Sequence, residues 1–217
     1  MIAAADRAGV AQFLTRLLRL DSGAVVRLRP EPGGGGRVWA MLPFRVLVCR
    51  RLTVTPPSDV TVSAADLRAW LNAVDGDEPR RRDEAWRWPL PSSEGGAVET
   101  IPVAEVMRLA EAAARTVRVA IAEGVGGRAM GERAVRDAVL EHVAIVVSTE
   151  AGERVEIPQR LVQAVVRTGL LDPEKSRVTA DTVSAEAVTV RRAMGWIGIS
   201  SRYGSAWYRP ISPLRLS

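Results

Sequence analysis

Phe44, Val46, Val48, Leu52 and Val54 recur at even spacing, broken by Arg50, and Pro56-Pro57 end the run. A period of two belongs to a β-strand with one buried face. Such a strand needs partners along its edges and a hydrophobic cover over its apolar side. The preceding residues supply the partners. Ala24–Arg29 alternates up to Pro30, Gly33–Gly36 suits a hairpin tip, and Arg37–Leu42 forms the return strand before Pro43. Helices on either side in sequence supply the cover. Residues 8–20 gather Val10, Phe13, Leu14, Leu17 and Leu18 on one face. Ser63-Ala64-Ala65-Asp66 resembles a capping box, with Asp in place of Glu, opening a helix through Leu67, Trp70, Leu71 and Val74.

The pattern then changes. Residues 75–100 are charged and rich in Trp and Pro, and read as a linker or long loop. Beyond it, Val103, Val106, Met107, Ala110, Ala113, Ala114, Val117 and Ile121 keep helical spacing. A second helix through Val135, Ala138, Val139, His142, Val143 and Val146 makes 102–147 an αα-hairpin. Val155–Ile157 is a short extended piece, and Pro158 opens a third helix through Leu161, Val165 and Leu170. Ser184–Met194 can be drawn as a helix. The β-branched run Val188-Thr189-Val190, with Gly195 as a turn and alternation over Trp196–Ser200, favours strands that continue into Ala206–Arg209. The predicted fold is α+β. It has an N-terminal helix–antiparallel sheet–helix unit (1–74), the charged segment (75–100), and a helical hairpin, helix and C-terminal β-meander (101–217).

Charge bears on function here. The 217 residues carry 30 bases and 25 acids, a net charge of only +5. The sequence pI of about 10.5 is high because Lys175 is the only lysine and arginine stays charged. The surplus sits at the two ends: residues 1–60 hold 9 bases and 4 acids, and residues 151–217 hold 10 and 6. A hydrophobic content of 47% excludes wholesale disorder. Asp6 and Arg7 interrupt any signal-peptide core, and no apolar run approaches the roughly 18 residues that span a bilayer. Cys49 is alone, so no internal disulfide forms. A cytoplasmic protein without a membrane partner is expected.

Catalytic chemistry finds little support. Gly124-Val125-Gly126-Gly127-Arg128-Ala129 satisfies a dinucleotide-loop pattern, but that loop needs a strand leading into its glycines, and the spacing before Gly124 is helical. His142, the only histidine, is expected to be buried or half-buried in its helix rather than a general base. Cys49 has no base nearby in sequence, and Asp75, Asp77 and Glu78 lack the ladder of a calcium loop. No catalytic residue, metal or cofactor is assigned.

Two surfaces remain. If Val26, Leu28, Phe44, Val46 and Val48 face the core, the opposite sheet face carries Arg27, Arg29, Arg37, Trp39, Arg45 and Arg51. Guanidinium groups around an exposed indole suit a phosphate backbone with a stacked base, while a solvated antiparallel face is the simpler account. Trp86-Arg87-Trp88 either presents two indoles to a protein partner or folds back to seal the junction between units. The leading expectation is a non-catalytic interaction, regulatory or adaptor protein that binds another protein or a second copy of itself. Nucleic-acid binding on the Arg/Trp39 face is the alternative, and a nucleotide-dependent enzyme using residues 124–129 is the third.

Overall fold

The computed structural model describes residues 2–73, 76–91, 95–123, 131–171 and 186–210. The alternating run becomes β3 (Leu47–Leu52), in the middle of an eight-stranded sheet. The strand order is β4 (Val60–Ser63), β1 (Val25–Pro30), β2 (Gly36–Met41), β3, β10 (Gly204–Tyr208), β9 (Trp196–Ser201), β8 (Ala187–Ala193) and β5 (Gly96–Pro102). Every pairing is antiparallel. The β1–β2 hairpin turns through Gly33, Gly34 and Gly35 at φ 97°, 103° and 72°, a left-handed backbone that a Cβ would strain. The C-terminal meander joins the N-terminal strands directly, with Leu47 opposite Trp207 and Arg50 opposite Gly204.

One face carries the main core. Val26, Leu28, Val38, Ala40, Val46, Val48, Val188, Val190, Ile199 and Ala206 point into it from the sheet. Helix α1 (Ala4–Leu20) starts one turn earlier than the spacing predicts and buries Val10, Phe13, Leu14 and Leu17. In α2 (Ala64–Asn72) the Ser63 hydroxyl accepts the Asp66 N–H at 3.3 Å, the cap the sequence forecast, and Leu67 and Leu71 are buried. Helices α3 (Val103–Glu123) and α5 (Gln159–Arg167) extend the layer through Val106, Ala110, Leu161 and Val165.

The architecture is α+β, with a C-terminal strand meander. Ala187–Ala193 is strand, so the helical drawing of this stretch falls. The hairpin expected over 102–147 is helical only in part. Helix α4 (Glu132–Glu141) stops before Val143–Ser148, which is β6 and pairs with β7 (Arg154–Pro158). The β-branched run Val143, Ile145, Val146, Val147 prefers extended backbone, and α4 buries only Val135 among its described side chains. His142 therefore lies past the helix end and is exposed, not part of an apolar seam. Strands β4 and β5 carried too little signal to predict: β4 has four residues, and β5 is mostly exposed apart from Ile101. Helix α3 runs up to Glu123, so a helix, and not the strand a dinucleotide loop requires, leads towards Gly124. Gly124–Ala129 itself lies outside the described residues. Among the described residues, no helix is long and apolar enough to cross a membrane.

Candidate functional site

The second face of the sheet is also covered. Trp39, Leu47, Cys49, Ala193, Trp196 and Trp207 form a separate buried cluster, against which Met41, Trp86 and Leu90 pack. Trp207 packs on Gly198, where an added Cβ would sit 2.5 Å from its ring. Its indole N–H donates to the Ser205 hydroxyl at 2.7 Å, and the Cys49 sulfur is 3.1 Å from the same oxygen. Burial pushes the Cys49 thiol up, away from the thiolate.

Residues 80–91 form the cover, a strap without hydrophobic periodicity. It is pinned at β4: Arg82 N–H donates to Thr61 O at 2.7 Å, and the Asp83 carboxylate accepts the Thr61 N–H at 2.7 Å. That second bond, with Arg81 adding to it, holds the Asp83 carboxyl below its ordinary range. A 3₁₀ turn (Asp83–Ala85) then delivers Trp86 to the cluster. The Trp86 indole donates to Trp88 O at 2.7 Å, and the two rings meet edge to face at 5.2 Å. Trp86 thus seals the sheet, Trp88 stands half-buried beside it, and Arg87 is exposed.

The Arg/Trp face differs from its expected form in exposure. Arg27, Arg29, Arg37, Trp39 and Arg51 do share one side, with Arg29 opposite Arg37, Arg37 opposite Arg51 and Arg27 opposite Trp39. Trp39, however, is only 3% exposed beneath the strap, so no free indole stands among the arginines. Arg37 is buried on Glu31 at 2.8 Å, and Arg27 forks onto Asp59 at 2.7 and 2.8 Å. Arg45 is set apart in the turn between β2 and β3, where its N–H donates to Leu42 O. Its φ of 62° is left-handed for a residue with a Cβ, a strain of order 1–3 kcal/mol.

Arg45 stands at a pocket of about 560 Å³ at the end of the sheet. Trp88, Trp196 and Tyr208 wall it with Met41, Pro43 and Pro89, and its charged residues are Asp21, Arg45, Glu141, Arg160 and Arg209. A groove of about 390 Å³ continues past Glu141 and Tyr208 along β6–β7. Arg160, 5% exposed, holds the pocket wall from the first turn of α5. Its guanidinium donates to Phe44 O at 2.9 Å, pairs with Glu141 and lies 4.8 Å from the Tyr208 ring centre. Its Nε has no hydrogen-bond partner, a cost of about 1–3 kcal/mol for a buried donor. Of the sequence candidates, Trp88 and Arg45 reach this pocket. Arg160, Trp196, Tyr208 and Arg209 were not singled out as site residues; the one available signal was an arginine set directly against the apolar run Leu161–Val162. Among the described residues, no group of three or more His, Cys, Asp or Glu could hold a metal ion.

Two family models divide the sequence. Residues 90–213 match "Domain of unknown function (DUF8185)" and residues 1–88 match "Domain of unknown function (DUF8010)". No curated protein matches. By structure, the chain is similar to the DNA polymerase III subunit beta from Pseudomonas aeruginosa, with a TM-score of 0.53 and 11% identity over 95% of this chain and 64% of that one. It is also similar to the beta subunit from Thermotoga maritima, at 0.50 and 10% over 95% and 63%. The Streptococcus pneumoniae beta chain gives 0.52 and 11% over 95% and 64%. At this identity the likeness is one of fold, and the chain spans less than two thirds of each neighbour's length.

Proposed function

Since the chain belongs to the family described as Domain of unknown function (DUF8185), we propose its role from its geometry: a non-catalytic intracellular interaction protein that seats a segment of a partner protein in the pocket walled by Trp88, Trp196 and Tyr208. That pocket carries the reading. Flat aromatic walls with a few placed charges are what a buried anchor residue needs. Cys49, closed off and held as a thiol, and His142, exposed past α4, offer no paired nucleophile and base. The structural neighbours are named as subunits of a polymerase, so this fold serves elsewhere as part of an assembly. A photo-crosslinking residue at position 43, exposed at the pocket, should give a discrete adduct in cells, lost with Tyr208→Ala, whereas one at Met194, 88% exposed on the β8–β9 turn, should not. Equal labelling from both positions, or none from position 43, would overturn the reading.

A second reading, nucleic-acid contact, draws support from Arg29, Arg37 and Arg51 lying side by side on three strands with Arg29 and Arg51 exposed. It requires oligonucleotide affinity that falls steeply with salt and weakens with Arg29→Ala and Arg51→Ala. Salt-independent or absent binding rejects it.

A further inference from the structure

Resting on the pocket reading above, we infer that the occupant is an acidic segment, with a carboxylate side chain next to an apolar one. The charges around the pocket are unevenly paired. Glu141 is committed to Arg160, and Asp21 accepts the N–H of Gly23 at 2.9 Å within its own turn. Among the described residues no carboxylate pairs with Arg45 or Arg209, both exposed at the pocket. The unpartnered Nε of Arg160 is closed to solvent, so the donors open to a ligand are those of Arg45 and Arg209. The pocket lining therefore carries three guanidinium groups against two carboxylates, and the excess positive charge sits on the exposed Arg45 and Arg209. A carboxylate meets such donors with matched planar geometry.

The apolar half of the ligand follows from the walls, since Trp88, Trp196 and Tyr208 line the pocket together with Met41, Pro43 and Pro89. The same lining argues against a polyanion. A phosphodiester chain would carry successive charges past Asp21 and Glu141, whereas a single carboxylate beside Arg45 or Arg209 need not approach them. The left-handed backbone of Arg45 also fits: the Leu42–Val46 turn holds this arginine at the pocket in a conformation its own side chain disfavours.

The test is fluorescence polarisation of the full chain with three fluorescein-labelled hexapeptides. They share Leu and Phe at alternate positions with Ser between them, except that the central intervening residue is Glu, Gln or Lys. The Glu peptide should bind at least tenfold more tightly than the Gln peptide. Arg45→Ala combined with Arg209→Ala should erase that difference, while Trp88→Ala should weaken both peptides. Glu and Gln peptides binding alike, with Trp88→Ala weakening both, would overturn the acidic segment and leave the pocket reading standing. Tighter binding of the Lys peptide, or displacement of the Glu peptide by a random oligonucleotide, would likewise overturn it. No binding of any peptide, together with no crosslink from position 43, would remove both.

Discussion

The two faces of the sheet are closed by different kinds of chain. On one, four helices lay periodic apolar stripes on Val26, Val48, Val190 and their neighbours. On the other, a strap with no period places Trp86 and Leu90 on a cluster holding Trp39, Trp196 and Trp207. The first cover is distributed over many side chains, and the second is concentrated in a few indoles and two hydrogen bonds to the Thr61 backbone. Distributed burial should resist local change and fail only globally, while concentrated burial should open locally.

The strongest way to break this contrast is at the helical cover. Phe13→Ala removes a side chain 1% exposed in α1 and should cost about 3–5 kcal/mol in urea unfolding. It should leave Cys49 alkylation limited by whole-molecule unfolding. Trp86→Ala should cost less, about 2 kcal/mol for a half-buried indole. It should nonetheless raise Cys49 alkylation more than Phe13→Ala does in the absence of denaturant, because the strap opens without the sheet. If both variants expose Cys49 only together with global unfolding, the two covers are one cooperative unit. The smallest effect concerns acid. The Asp83 carboxyl is depressed, first by the Thr61 N–H and then by Arg81, so the stability it adds is present above its ordinary value of 3.8 and is lost as pH falls through the lowered folded value. An acid-side change in tryptophan fluorescence should appear in the wild type and be absent in Asp83→Asn.

The same contrast explains what could be read from sequence. Alternation over 44–54 and helical spacing over 8–20 and 103–121 report burial against a periodic partner, and β3, α1 and α3 follow. Alternation also assigned Arg27, Arg37 and Trp39 to one side. It could not say whether that side is wet, because the strap that dries Trp39 is held by the Asp83–Thr61 and Arg82–Thr61 hydrogen bonds, which leave no hydropathy pattern. The pocket was still less visible. Arg45, Trp88, Arg160 and Tyr208 come from a turn, a strap, a helix start and a strand end, and only the folded sheet brings them together.

The pairing of β3 with β10 has a consequence for how the molecule is made. During synthesis β1 to β4 emerge early, and β3 then waits with an open edge of unpaired backbone groups until residues 204–208 arrive to occupy it. An edge of that kind is a template for any other extended chain. Closing it requires contact between residues about as far apart in sequence as this fold brings together, which makes it a slow step. The period in which the nascent chain is most prone to mispairing is therefore set by the distance along the chain between Leu47 and Trp207, not by the stability of either end.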